Sequence, residues 1–208
     1  MNTRATDLIS YFEDRKAGIL GQHKSIHFSL FLPLLYRDDQ WHLLFQVRSS
    51  LVKQPGEVCF PGGRVEEFDE SYAAAAQREL QEELGLQEEQ ATLLGELDMM
   101  VTPFQFIVHP FIGIIHDENA ITPQEAEVAE VFTVPVKELI SMEPKQHNIR
   151  LDVQPESGFP YHLIPNGQDY NWRTGQIKEL FYDYNGRIIW GLTARILAHA
   201  IDEIKNID

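Results

Sequence analysis

Glu79, Glu82 and Glu83 stand three and four residues apart, with Arg78 directly before the first and Gly85-Leu86 directly after the last. On a helix these spacings gather the three carboxylates on one face, while Leu80 and Leu84 face elsewhere. Like charges crowded in this way repel one another by about 0.2–0.5 kcal/mol per exposed pair. A hard divalent cation reverses that sign, because it binds carboxylate oxygen. A solvated acidic helix face would also produce three such glutamates. The turn Gly62-Gly63 upstream, together with Arg78 and Gly85-Leu86, favours the metal-binding reading.

Positioning the stripe requires a helix, and residues 71–84 supply one: Tyr72, Ala73, Ala76, Leu80 and Leu84 recur at intervals of three and four. Ser71 suits the N-cap, and Gly85 suits the position just past the helix end. Upstream, 26–36 and 41–48 are β-rich runs joined by Arg37-Asp38-Asp39-Gln40, which predicts a hairpin. Further strands are expected over 92–97, 105–115 and 130–133, with a polar loop over 117–127. A short helix over 136–141 leads into an irregular stretch, 143–175, with short β-like pieces. The chain closes with a strand over 188–191 and a helix over 192–204. An N-terminal helix over 3–15 is expected to bury Leu8, Ile9, Tyr11 and Phe12. Strands and helices mixed in this order predict an α/β (α+β) sandwich forming one domain over 1–208.

The segment Gly63 to Leu86 resembles the Nudix box, G-x5-E-x7-R-E-u-x-E-E-x-G-u with u an aliphatic, and the R-E-u-x-E-E-x-G-u end matches throughout. Gly63 and Glu70 are separated by six residues instead of five, an insertion also found in the coenzyme A diphosphatase branch. Leu43-Leu44, Arg48-Ser49, Lys53, Gly56 and Phe60-Pro61-Gly62-Gly63 are similar to the signature preceding the box in that branch. Lys53 stands where arginine is usual, and the stretch 49–56 is one residue short. Glu127-Val128-Ala129-Glu130-Val131-Phe132 and Ile189-Trp190-Gly191-Leu192-Thr193-Ala194 also look like segments of the branch.

The resemblance implies an α/β/α sandwich with a mixed sheet, a Nudix core over 26–140 and a C-terminal extension over 141–208. It also implies that the carbonyl of Gly63 and the side chains of Glu79, Glu82 and Glu83 hold Mg²⁺ or Mn²⁺. The bound ion would bridge diphosphate oxygens and acidify a water. Arg78 and Glu70 are expected to pair and brace the loop against the helix. Glu82 and Glu127 are both candidates for the catalytic base. Arg48 and Lys53 are candidate phosphate contacts, since phosphates call for fixed donors. His109 is expected to make a strand contact.

The implied substrate is coenzyme A or an acyl-coenzyme A, giving 4′-phosphopantetheine or its acyl form and adenosine 3′,5′-bisphosphate. Another diphosphate, such as ADP-ribose, a dinucleoside polyphosphate or a damaged nucleotide, is an alternative. A non-catalytic nucleotide sensor is a third, which the intact glutamate stripe disfavours.

The formal charge of −15 argues against a broad hold on nucleic acid or an anionic membrane. The single Cys59 excludes an intramolecular disulfide and fits a reducing compartment. With no signal-peptide pattern and no membrane-length apolar run, a cytoplasmic monomer or homodimer is expected.

Overall fold

The structure is a computed structural model describing residues 5–207, with side chains from Leu8 onward. In chain order come α1 (Ala5–Glu13), β1 (Ile26–Arg37), β2 (Gln40–Arg48), β3 (Val58–Cys59), β4 (Gly62–Arg64) and α2 (Tyr72–Leu84). Then follow β5 (Ala91–Glu96), β6 (Met100–Val101), β7 (Phe106–Ile115), β8 (Val128–Pro135) and α3 (Val136–Ser141). The C-terminal part comprises β9 (Lys145–Leu151), β10 (Gly175–Tyr184), β11 (Arg187–Trp190) and α4 (Gly191–Lys205).

Two sheets result. The larger is mixed: β1 runs parallel to β7, while β2, β3, β4, β5, β6 and β8 join by antiparallel pairing. The hairpin turn between β1 and β2 works because Asp38 and Asp39 both adopt positive φ, of 50° and 59°, the pattern that matches strand twist. Strand alternation then sends side chains to two cores. Phe31, Leu35, Leu44, Phe111 and Ile115 face Ala76, Leu80 and Leu84 of α2. On the opposite side Leu32, Leu43, Phe45 and Val108 meet Leu139 of α3 and Ile196, Leu197 and Ile201 of α4. The sheet is thus enclosed between helices, as the expected α/β/α sandwich requires. Each such buried side chain contributes about 1.5–3 kcal/mol by leaving water.

Three expectations are corrected. Leu8, Ile9, Tyr11 and Phe12 are 54–63% exposed, so the apolar stripe of α1 packs on no core; Thr3 and Arg4 of the expected helix lie outside the described residues. Within the stretch 143–175 a full strand, β9, takes 145–151 where only short β-like pieces were expected, and it pairs with β10, which itself pairs with β11 in a second, three-stranded antiparallel sheet, while 152–174 is irregular as expected. Gly191, expected to end a strand, begins α4. Among the described residues no helix is long and apolar enough to cross a membrane.

Candidate functional site

Helix α2 enters and leaves where the sequence says it should. The Ser71 hydroxyl accepts from the Ala74 N–H at 3.1 Å, and Gly85 adopts the left-handed conformation, φ 67°, that ends the helix. Leu80 and Leu84 are buried against the sheet, which turns Arg78, Glu79 and Glu82 toward the loop formed by 62–70, while Glu83 sits between helix and sheet.

That loop comes very close to the helix. A Cβ on Gly63 would lie 2.5 Å from the Glu79 carboxylate, so the glutamate rests against a backbone that only glycine leaves open. The Gly62 N–H donates to Glu83 Oε2 at 2.8 Å. The Gln46 amide, arriving from β2, donates to the same oxygen at 2.9 Å.

Arg78 ties the arrangement together. Its guanidinium donates to both oxygens of Asp69 at 2.9 and 3.0 Å, to Glu79 Oε1 at 2.8 Å, to Glu82 Oε2 at 3.0 Å and to the Arg64 carbonyl at 3.2 Å. The bracing partner is therefore Asp69, not Glu70. Asp69 stands where the regular five-residue spacing from Gly63 lands, so the insertion falls after this acid, and Glu70 is exposed. The Arg78 hydrogen bonds hold the Asp69 carboxyl below its usual range.

Glu127 joins the group through the backbone. Gln124 N–H donates to the Glu83 carbonyl and Thr122 N–H to the Leu84 carbonyl, at 2.9 and 2.8 Å, which fastens the loop before β8 to the end of α2. Ser49 N–H then donates to the Glu127 carbonyl at 2.8 Å. The side chain of Glu127 is exposed, and its charge reaches both Glu79 and Glu83.

The electrostatics follow from this crowding. Burial pushes the Glu83 carboxyl up to about 7, opposed by the Gln46 and Gly62 hydrogen bonds and reinforced by Glu79 and Glu127. Burial also raises Glu79, opposed by Arg78 and reinforced by Glu82 and Glu127. Glu83, buried with neutral donors and no cation among its hydrogen-bond partners, is the carboxylate that a divalent ion would stabilise most. Among the described residues no three acidic, imidazole or thiol side chains converge on one point, since Arg78 holds Glu79 and Glu82. The donor set itself, three carboxylates and the Gly63 carbonyl, is the all-oxygen chemistry that suits Mg²⁺ or Mn²⁺.

The two expected phosphate contacts are placed differently. Arg48 Nε donates to the Lys53 carbonyl at 2.8 Å, so its guanidinium closes the loop 49–56 on itself. Lys53 is exposed. Beside this loop a cleft of about 650 Å³ opens toward the second sheet, with Val47, Val58, Glu57, Glu130, Phe181 and Trp190 among its walls. His109 is buried in β7 with its Nε2 3.0 Å from Nδ1 of His27 in the paired strand β1, the expected strand contact, and its ring also stacks on Tyr72 of α2 with centroids 3.6 Å apart. Half-buried Cys59 has its thiol pushed up to about 11 by burial, which keeps it protonated and inert at neutral pH. Sequence reasoning missed Asp69, which forward counting from Gly63 identifies, and Gln46, which no motif marks.

A NUDIX domain model matches residues 28–154. The peroxisomal coenzyme A diphosphatase NUDT7 of Mus musculus is 41% identical over 170 residues, covering 81% of this chain and 66% of that protein. An uncharacterised Nudix hydrolase, NudL, from Enterobacter sp. is 32% identical over 170 residues, covering 81% of this chain and 78% of its own length. Among solved structures, a MutT/nudix family protein from Enterococcus faecalis aligns with a TM-score of 0.50 at 14% identity, over 98% of this chain and 70% of that one.

Proposed function

Since the chain belongs to the Nudix family of pyrophosphohydrolases, we propose that its reaction is hydrolysis of the diphosphate of coenzyme A or an acyl-coenzyme A. Water adds to phosphorus and the phosphorus–oxygen bond of the bridge breaks, giving 4′-phosphopantetheine, or its acyl form, and adenosine 3′,5′-bisphosphate. The observation that carries the reading is the close approach of one loop and one helix, which sets Gly63 against Glu79, ties Glu83 to the Gly62 N–H and ties Glu82 to Arg78, in a chain similar to a protein named as a coenzyme A diphosphatase.

In this reading the Gly63 carbonyl and the carboxylates of Glu79, Glu82 and Glu83 hold Mg²⁺ or Mn²⁺. Such an ion, when bound, would supply neutralisation of charge at phosphorus and acidify a water. Arg78 aligns the stripe by anchoring Glu79 and Glu82 to the Asp69 loop. Glu82 and Glu127 are the two candidate bases for a proton on the attacking water. Exposed Lys53 meets a substrate phosphate, and the uncharged end of the substrate lies along the cleft between Val58 and Trp190. Arg48 shapes the loop that carries Lys53. The whole chain works as one domain, with a core over 26–140 and an extension over 141–208, as a cytoplasmic monomer or homodimer; the mouse relative is named as peroxisomal.

One observation favours a second reading. Arg48 Nε is engaged by the Lys53 carbonyl within a shortened loop, an arrangement that favours a pocket suited to a different diphosphate such as ADP-ribose. Product chromatography after incubation with Mg²⁺ and, separately, coenzyme A, acetyl-coenzyme A, ADP-ribose, NADH and a dinucleoside tetraphosphate tests both. Release of adenosine 3′,5′-bisphosphate as the fastest reaction supports the first reading; faster cleavage of another compound replaces it with the second.

A further inference from the structure

Building on the metal-site reading above, we infer that Gln46 is a positioning residue for the metal ligand Glu83, locking its carboxylate so that one chosen oxygen faces the cation. Gln46 is 1% exposed and projects from β2 toward α2. Its Nε2 donates to Glu83 Oε2 at 2.9 Å, and the Gly62 N–H donates to that same oxygen at 2.8 Å. The two donors come from different strands, Gln46 from β2 and Gly62 from the start of β4. Among the described residues Glu83 Oε1 receives no hydrogen bond.

A carboxylate turns easily about its last carbon–carbon bond, because that torsion has broad minima. Two donors converging on Oε2 remove this freedom, and Oε1 is left as the oxygen available to a divalent ion. A ligand oriented in advance by its hydrogen-bonded neighbours binds metal more tightly than one that must be ordered on binding.

The other end of Gln46 shows what the arrangement costs. Its Oε1 is buried with no partner, a situation that destabilises a fold. Turning the amide over would set oxygen against oxygen at Glu83, so the orphaned acceptor accompanies the charge-assisted bond. Leu44 and Phe45, its neighbours in β2, are fully buried apolar side chains, and packing alone would be served by another of these. The polar side chain at 46 is explained by what it does to Glu83.

The test uses the full chain with Gln46→Met, which keeps length and volume but has no donor, and Gln46→Asn, which keeps the amide but withdraws it. Mn²⁺ affinity is measured by electron paramagnetic resonance, alongside thermal unfolding and KM for the diphosphate at saturating metal. Both variants are expected to bind Mn²⁺ about 10-fold to 100-fold more weakly, with KM unchanged once metal is saturating. Mn²⁺ affinity within twofold of the unaltered chain in whichever variant folds, whatever the change in unfolding temperature, overturns the inference and assigns Gln46 to packing. Glu83→Gln separates this from the underlying reading: if it abolishes Mn²⁺ binding while the Gln46 variants leave it intact, only the role of Gln46 falls. If the unaltered chain binds no Mn²⁺, or Glu83→Gln does not weaken binding, the metal-site reading and the inference fall together.

Discussion

Adding one methyl group at each of two adjacent glycines should separate the fold from the chemistry. At Gly63 the three atoms nearest an added Cβ all belong to the Glu79 carboxylate, at 2.5 Å for its carbon and one oxygen and 2.6 Å for the other. Ordinary contact begins at 3.4 Å, so the carboxylate must retreat by 3.4 − 2.5 = 0.9 Å. It is the far end of a flexible side chain, so the fold absorbs the change, but the hydrogen bond from Arg78 at 2.8 Å and the alignment of the stripe do not. A displacement near 1 Å at a reacting centre costs about 100-fold in rate, which is about 2.7 kcal/mol of barrier.

At Gly62 the same Cβ would sit 2.4 Å from the Ser29 carbonyl oxygen and 2.8 Å from Leu30 Cα, which is the backbone of β1. Leu30 and Gly62 are register partners, so β4 must separate from β1. Forced overpacking of this kind costs about 1–3 kcal/mol or more, or roughly 2–12 °C in Tm for a chain of this size. Thermal unfolding and steady-state cleavage of the diphosphate, at saturating Mg²⁺, read the two effects. Gly63→Ala should lose about 100-fold in kcat/KM with Tm nearly unchanged, and Gly62→Ala should unfold early. A Gly63→Ala enzyme within threefold of normal kcat/KM, or one that loses as much Tm as Gly62→Ala, would refute the close-approach argument.

Other perturbations probe the remaining contacts. Glu83→Gln should lower kcat severely and leave circular dichroism unchanged, since it removes one charge and keeps the shape; normal turnover would remove Glu83 from the site. Asp69→Asn should lower both Tm and activity, by about 1.5–3 kcal/mol of lost charge-assisted bonding, whereas Glu70→Gln should be silent, and the reverse pattern would restore Glu70 as the partner of Arg78. His109 is held neutral by burial, with its pKa lowered from 6.5 to about 4. The unfolded ring therefore takes up a proton first as pH falls, and stability is lost between about 6.5 and 4, by up to about 3 kcal/mol for this group. Urea midpoints of His109→Phe should show a flatter decline over that window than the unaltered chain, and parallel declines would count against it. Chelation with EDTA should abolish turnover, and Mg²⁺ in excess of the chelator should restore it.

The helix and the stripe were legible because every level of the sequence agreed: period, cap, stop and charge spacing all named the same residues. The Arg78 partner was misread because two counts conflict, five residues forward from Gly63 to Asp69 and seven back from Arg78 to Glu70, and only the fold decides between them. The N-terminal stripe had the right period, yet period says which residues share a face and not whether a surface exists to cover it. Strand β9 was hidden because Lys145, Gln146, His147 and Asn148 lack β-branched or apolar alternation, and their pairing with β10 alone makes them a strand. The hairpin after it was readable in principle, since Asn185-Gly186, with φ of 54° and 84°, is the strongest short turn signal for paired strands. Gln46 gave no signal at all, because burial of one polar residue in an apolar strand depends on a partner 37 residues away.

On the proposed reading, the charge distribution makes substrate binding conditional. The chain carries a net −15, and its site brings Glu79, Glu82, Glu83 and Glu127 within electrostatic reach of one another. Arg78 is committed to Asp69, Glu79 and Glu82, and Arg48 binds the loop backbone through Nε. A diphosphate approaching the bare protein therefore meets like charge, with exposed Lys53 and Arg64 as cations expected to oppose it. Divalent ions change the balance at the one place where carboxylates cluster, so affinity for the anion and assembly of the reactive geometry arise in the same event. Burial of Glu83 strengthens this coupling, because a partly dehydrated carboxylate gains more from a cation than an exposed one does. The same arrangement that destabilises the empty site thus disfavours anions that arrive without metal.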